Sequence, residues 1–165
     1  MGANNIKQKI QWVLIVYIAF VFTQSLFFKF AGIITGEPAD VTVYIFQTIG
    51  AWMSNDLGLP FLGEAFGAYG EIVIGLAELA ASVMLVFVIT RFYGALLALG
   101  VMSGAIFFHI FTPLSLFPYT DLSCLTEGCP REYPLFFMAC GVWLSAAWLA
   151  WQNRPVSADE NILED

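Results

Sequence analysis

Charge is what this chain has least of: Asp, Glu, Lys and Arg make up 12 % of its 165 residues, against about a quarter in ordinary soluble domains. Lys and Arg together number 6, too few and too scattered to follow a phosphate backbone, which excludes nucleic acid as a partner. The single histidine cannot supply the paired axial ligands of a bis-His haem, and the three cysteines form no cluster-binding run. No metal site is expected, since neither a histidine nor a third cysteine stands beside the one close cysteine pair. A Gly-rich phosphate loop, a nucleophile elbow and a zinc signature are all missing, so soluble-enzyme chemistry has no foothold.

What fills the space instead is apolar: 59 % of the residues are hydrophobic. Four stretches, about 10–32, 69–90, 92–111 and 134–152, reach the roughly 20 residues that a membrane-spanning helix needs. The spacing therefore predicts an all-α integral membrane protein, a single antiparallel four-helix bundle over residues 1–155 followed by an acidic, solvated tail over 156–165. Lys7, Lys9, Arg91 and Arg154 fall on one side if the helices alternate, and cytoplasmic flanks carry the excess of positive charge. Both termini should then be cytoplasmic, with two long loops outside and Trp12 and Trp151 as inner-interface anchors. The first apolar run is too long for a signal peptide, and no A-x-A-like cleavage site follows it.

The first outer loop, 33–66, has a helical pattern of its own. Asp40 can cap a helix in which Val41, Ile45, Ile49, Trp52 and Met53 recur at spacings near three and four. Such an amphipathic segment would lie along the outer surface or cover the mouth of the bundle, as a packing helix or as a substrate lid. It ends in Ser-Asn-Asp-Leu-Gly-Leu-Pro, a run that stops helices. The second outer loop holds Cys124 and Cys129, for which a structural disulfide is expected on an oxidising face, a redox-active pair or two unpaired thiols being the alternatives. Cys140, inside the fourth span, reads as a buried small residue.

Within the spans the ionisable groups fall on small-residue faces. Glu71, Gly75, Glu78 and Ser82 follow at offsets of four, three and four, and Ala98, Met102, Ala105 and His109 repeat the device in the third span. Gly141, Ser145, Trp148 and Gln152 do so in the fourth, and Ser25, Lys29 and Gly32 close the first. Alternating helix directions bring Lys29, Glu71, Glu78 and His109 towards one outer pocket, with Gln24 nearby. Glu71 and Glu78 differ in depth by about 10 Å at 1.5 Å per residue, so one lysine cannot neutralise both. Glu78 is the deeper, and a carboxylate there must pair, hydrogen-bond or take up a proton.

Three segments carry a resemblance. QSLFFKFAG at 24–32, GEIVIGLAELAA at 70–81 and GALLALGVMSGAIFFH at 94–109 together resemble the DoxX-like family of small four-helix membrane proteins, over about the first two thirds of the chain. The likeness lies in their order: Phe-Lys-Phe with Gly closing helix one, Gly-x4-Gly-x2-Glu in helix two, and Gly-Ala with a later His in helix three. It implies a bacterial inner-membrane protein that accompanies oxidoreductases; members are linked to thiosulfate and quinone chemistry, to oxidative stress and to maturation of periplasmic redox enzymes. It also makes Lys29, Glu78 and His109 family-like polar positions. A basic residue is expected in relatives where Glu71 stands, and the cysteine loop and long first loop are additions of this chain.

These observations lead to an accessory membrane subunit of a larger redox or bioenergetic complex, respiratory or photosynthetic, without catalytic activity of its own. The alternative is a quinone-binding membrane subunit: His109 hydrogen-bonds a carbonyl, Glu78 exchanges a proton and Lys29 holds the carboxylate. A proton-coupled small-molecule transporter is the weaker third reading, since the chain shows no repeat and no broken span.

Overall fold

The computed structural model describes residues 2–120 and 129–155. Among these the regular elements are all helices: α1 (Gly2–Lys29), α2 (Ala31–Thr35), α3 (Asp40–Asn55), α4 (Pro60–Val86), α5 (Arg91–Phe111) and α6 (Pro134–Gln152). α1, α4, α5 and α6 are long and apolar enough to cross a membrane. Proline occupies the first position of both α4 and α6, where its missing N–H and fixed φ suit a helix start.

The surface shows what solvent these helices suit. On α4 the buried positions include Gly63, Gly70, Gly75, Glu78 and Ala81, whereas Val73, Leu76, Leu79 and Val83 point outward. Val16, Phe20 and Phe27 of α1 and Phe137 and Leu144 of α6 are likewise exposed. Small residues inside and large apolar ones outside invert the usual amphipathic arrangement of a water-soluble helix. This distribution is compatible with lipid around the four helices.

One cluster of buried side chains joins them: Ile15, Ile18 and Phe22 of α1, Leu85 of α4, Ala98 of α5, Val142 and Leu149 of α6 among others. α4 and α5 form a hairpin across residues 87–90. Gly94 makes it close, since a Cβ there would stand 2.8 Å from the Met84 Cβ and 2.9 Å from the Leu85 nitrogen. α1 lies against α4 and α6.

Several expected boundaries shift. The helix that holds the first expected span, 10–32, runs from Gly2 to Lys29; the chain breaks at Phe30 and continues as the short α2. Asp40 is the first residue of α3 and not its cap: Ala39 holds the cap position without a side-chain hydrogen bond, and the Asp40 carboxylate acts on the helix only through the dipole of its first turn. α4 starts at Pro60, well before 69, and ends at Val86, short of 90. The extension, 60–68, opens a glycine-rich stretch that runs to Gly70 and whose composition reads as loop. Their glycines form the contact with α3. A Cβ on Gly50 would lie 2.5 Å from the Gly63 carbonyl oxygen and 3.1 Å from the Gly67 nitrogen, and one on Gly70 would lie 2.7 Å from the Phe46 ring. Close backbone approach is what fixes glycine there.

Arg91 is also not a loop charge. It is 5 % exposed, its Nε donates to the Leu85 carbonyl at 3.0 Å and its other nitrogens donate to Val86 O and Gln11 Oε1, both at 3.4 Å. The guanidinium lies 5.2 Å from the centroid of Trp12. It thus closes the C-terminal carbonyls of α4 and ties them to the beginning of α1.

Candidate functional site

The end of α1 meets the middle of α4 because Gly75 leaves room for it. A Cβ at Gly75 would come within 3.1 Å of the Phe30 ring and 3.4 Å of Leu26. One turn further along α4, Glu78 faces Lys29, whose Nζ donates to both carboxylate oxygens at 3.0 Å and also to the Ser25 hydroxyl one turn back on α1. The Glu78 residue is 2 % exposed. All three N–H groups of the ammonium are thereby engaged, and the carboxylate is paired as its depth requires. Ser82 adds a hydrogen bond to the Glu78 backbone carbonyl at 2.9 Å.

His109 stands near the end of α5, 7 % exposed. α5 stops where the Thr112 hydroxyl donates back to the Phe108 carbonyl at 2.6 Å and then accepts from the Leu114 N–H at 3.2 Å. The turn continues through Ser115, a non-glycine residue at φ 68°, a conformation that costs about 1 kcal/mol. It delivers the Ser115 carbonyl 2.8 Å from His109 Nδ1. Phe136 of α6 meets the imidazole edge-on at 5.9 Å between centroids.

The space between these groups is a cavity of about 330 Å³, at the small end of the range for ligand sites. Gln24, Ser25, Lys29, Glu78 and His109 line it, so four of the five expected pocket residues come together: Gln24, Lys29, Glu78 and His109. Glu71 does not. It is half-buried on α4 outside the lining and makes no hydrogen bond or ion pair among the described residues. α1 ends opposite Gly75 and leaves nothing of that helix to face it.

The cavity has a cover. α3 contributes Val41, Thr42, Ile45 and Ile49 to the lining, so its apolar stripe serves the cavity while its glycine face serves α4. Leu114 and Glu132 of the second loop complete the wall. That loop is drawn together by an antiparallel bridge between Tyr119 and Arg131, with Thr120 N–H donating to Pro130 O at 3.2 Å and Glu132 N–H to Pro118 O at 2.9 Å. Arg131 donates to the Tyr119 hydroxyl at 2.7 Å, and the Tyr44 ring of α3 meets Tyr119 at 5.6 Å. Two covering segments therefore touch each other as well as the cavity. Sequence reasoning missed Thr42, Glu132 and the Ser115 carbonyl; only Thr42, a polar residue inside the α3 stripe, carried a readable signal.

Cys124 lies outside the described residues; Cys129 is buried beside the bridge, and Cys140 is free and half-buried. Among the described residues no group of three or more His, Cys, Asp or Glu side chains is placed to hold a metal ion. Compared with known protein families, curated proteins and solved structures, the chain matches none.

Proposed function

We propose that this chain is a multi-pass membrane protein, an antiparallel four-helix bundle of DoxX-like type in a bacterial inner membrane, and that it serves as an accessory subunit of a redox or bioenergetic complex. The apolar exterior of α1, α4, α5 and α6 supports insertion. Arg91 at Gln11 and Trp12, together with Lys29 at Glu78, supports opposite directions for α1 and α4. The ends carrying Lys7, Lys9, Arg91 and Arg154 face the cytoplasm, and Cys124 pairs with Cys129 outside.

A specific observation favours the quinone reading alongside it. Glu78 closes on Lys29, as groups that only specify helix packing would, yet Glu78 and His109 also border a largely apolar cavity of about 330 Å³. Such a space suits one small ring system with hydrogen-bonding oxygens, the head of an isoprenoid quinone. Purification from native membranes in mild detergent tests both parts. A stoichiometric redox partner supports the accessory role, and an isolated protein carrying quinone supports a quinone-binding subunit. A protein recovered with neither would contradict the proposal.

A further inference from the structure

His109 fixes which hydrogen-bonding partner the cavity accepts. A backbone carbonyl can only accept, so the 2.8 Å contact with Ser115 O requires the proton to sit on Nδ1. At neutral pH an imidazole is mostly uncharged, and among the described residues the contacts of this ring are Phe136 and the Ser115 carbonyl, with no ion pair to hold an imidazolium. Nε2 is then a bare acceptor. Among the described residues Nε2 has no hydrogen-bond partner, and none of their fully enclosed side-chain nitrogens or oxygens lacks one, so Nε2 keeps some open space and, on a ring that lines the cavity, is the remaining polar contact for an occupant.

The opposite wall has the same character. The ammonium of Lys29 is fully committed to Glu78 and Ser25, and so it offers no donor. Each Glu78 oxygen takes one N–H from Lys29 and keeps acceptor capacity. Glu132 adds a further carboxylate to the lining. Among the described residues the side-chain donors left to the cavity are the Gln24 amide and the Ser25 and Thr42 hydroxyls.

From this arrangement we infer that His109 accepts a hydrogen bond from the ligand, and that the cavity selects a hydroxyl-bearing ring, a phenol or hydroquinone, over the corresponding quinone. A quinone presents only carbonyl acceptors and would meet Nε2 lone pair to lone pair. This deepens the quinone reading and rests on it.

The test uses the full-length protein in detergent with oxygen excluded. A short-chain hydroquinone, its quinone and its dimethyl ether are compared by equilibrium binding. Hydroquinone should bind about tenfold more tightly than either of the others, the worth of one hydrogen bond made against one acceptor left unpaired. Because the chain has one histidine, ¹⁵N NMR of histidine-labelled protein reports this ring alone. It should show a protonated Nδ1 and an unprotonated Nε2, with the Nε2 resonance moving on addition of hydroquinone and not of the ether. His109→Phe should erase the preference; the wild-type spectrum decides even if that variant fails to fold. Quinone binding equal to or tighter than hydroquinone, or a protonated Nε2, overturns the inference while leaving the quinone reading intact. Binding of none of the three overturns both.

Discussion

Removing the Lys29 ammonium while leaving Glu78 in place strands a carboxylate that is 2 % exposed. Lys29→Ala should therefore destabilise the folded protein by about 3 kcal/mol, the scale of a buried pair broken from one side. Lys29→Met with Glu78→Gln removes both charges and should recover most of that loss; thermal unfolding of the three variants in one detergent checks it. A single Lys29→Ala as stable as the wild type would mean that the pair does not hold α1 to α4. The pair was legible in the sequence because an intramembrane carboxylate has few ways to exist, and Lys29 was the one cation at a matching depth. Glu71 shared its spacing and was grouped with it, but depth along α4 decides, and α1 ends before reaching it. The Ser115 carbonyl that fixes His109 left no trace in the sequence, since any residue carries one.

At the level of the elements, glycine has opposite meanings in different helices. Gly63 has Ser54 and the Gly50 carbonyl against the space a side chain would need, whereas Gly100 faces open space. Gly63→Ala should cost about 1–3 kcal/mol through overpacking of α3 on α4, and Gly100→Ala should be neutral or stabilising by up to about 1 kcal/mol from helix propensity. Melting temperatures of the two variants distinguish contact from composition. Equal destabilisation would contradict the assignment of the glycine-rich start of α4 to close packing. The same residues explain a boundary that sequence could not place. The length of the apolar runs found α5 and α6 nearly to the residue, because no Asp, Glu, Lys or Arg follows Arg91 in α5 and none stands in α6. It missed residues 60–68 of α4 because glycine used for helix contact and glycine used for turns look alike until the partner is known. α3 was found from its stripe of Val41, Ile45 and Ile49, while its glycine contact with α4 was not.

For the whole molecule the first question is which end faces which compartment. Arg91, buried against Trp12 and Gln11, is a poor labelling site, whereas Ile89 in the same turn is 90 % exposed. In a background lacking native cysteines, Ile89→Cys should resist an impermeant thiol reagent added to intact cells and Asp56→Cys should react, with the pattern reversed in inside-out vesicles. Labelling of position 89 from outside would invert the orientation. The four long apolar helices were readable from the scarcity of charge and the length of the apolar runs, and a cover over the mouth was one reading of the α3 stripe, but the tie between α3 and the second loop was not. It depends on Tyr44, Tyr119 and Arg131 meeting across two loops that no local pattern connects. On the proposed reading the polar wall under this cover serves an occupant and not packing alone. Quinone and quinol binding to the Lys29→Met, Glu78→Gln double variant tests it most directly, with the variant first matched to the wild type in thermal stability. The folded variant should lose binding by about tenfold or more, the worth of a charged hydrogen-bonding group; undiminished binding would contradict a role for the pair in holding an occupant.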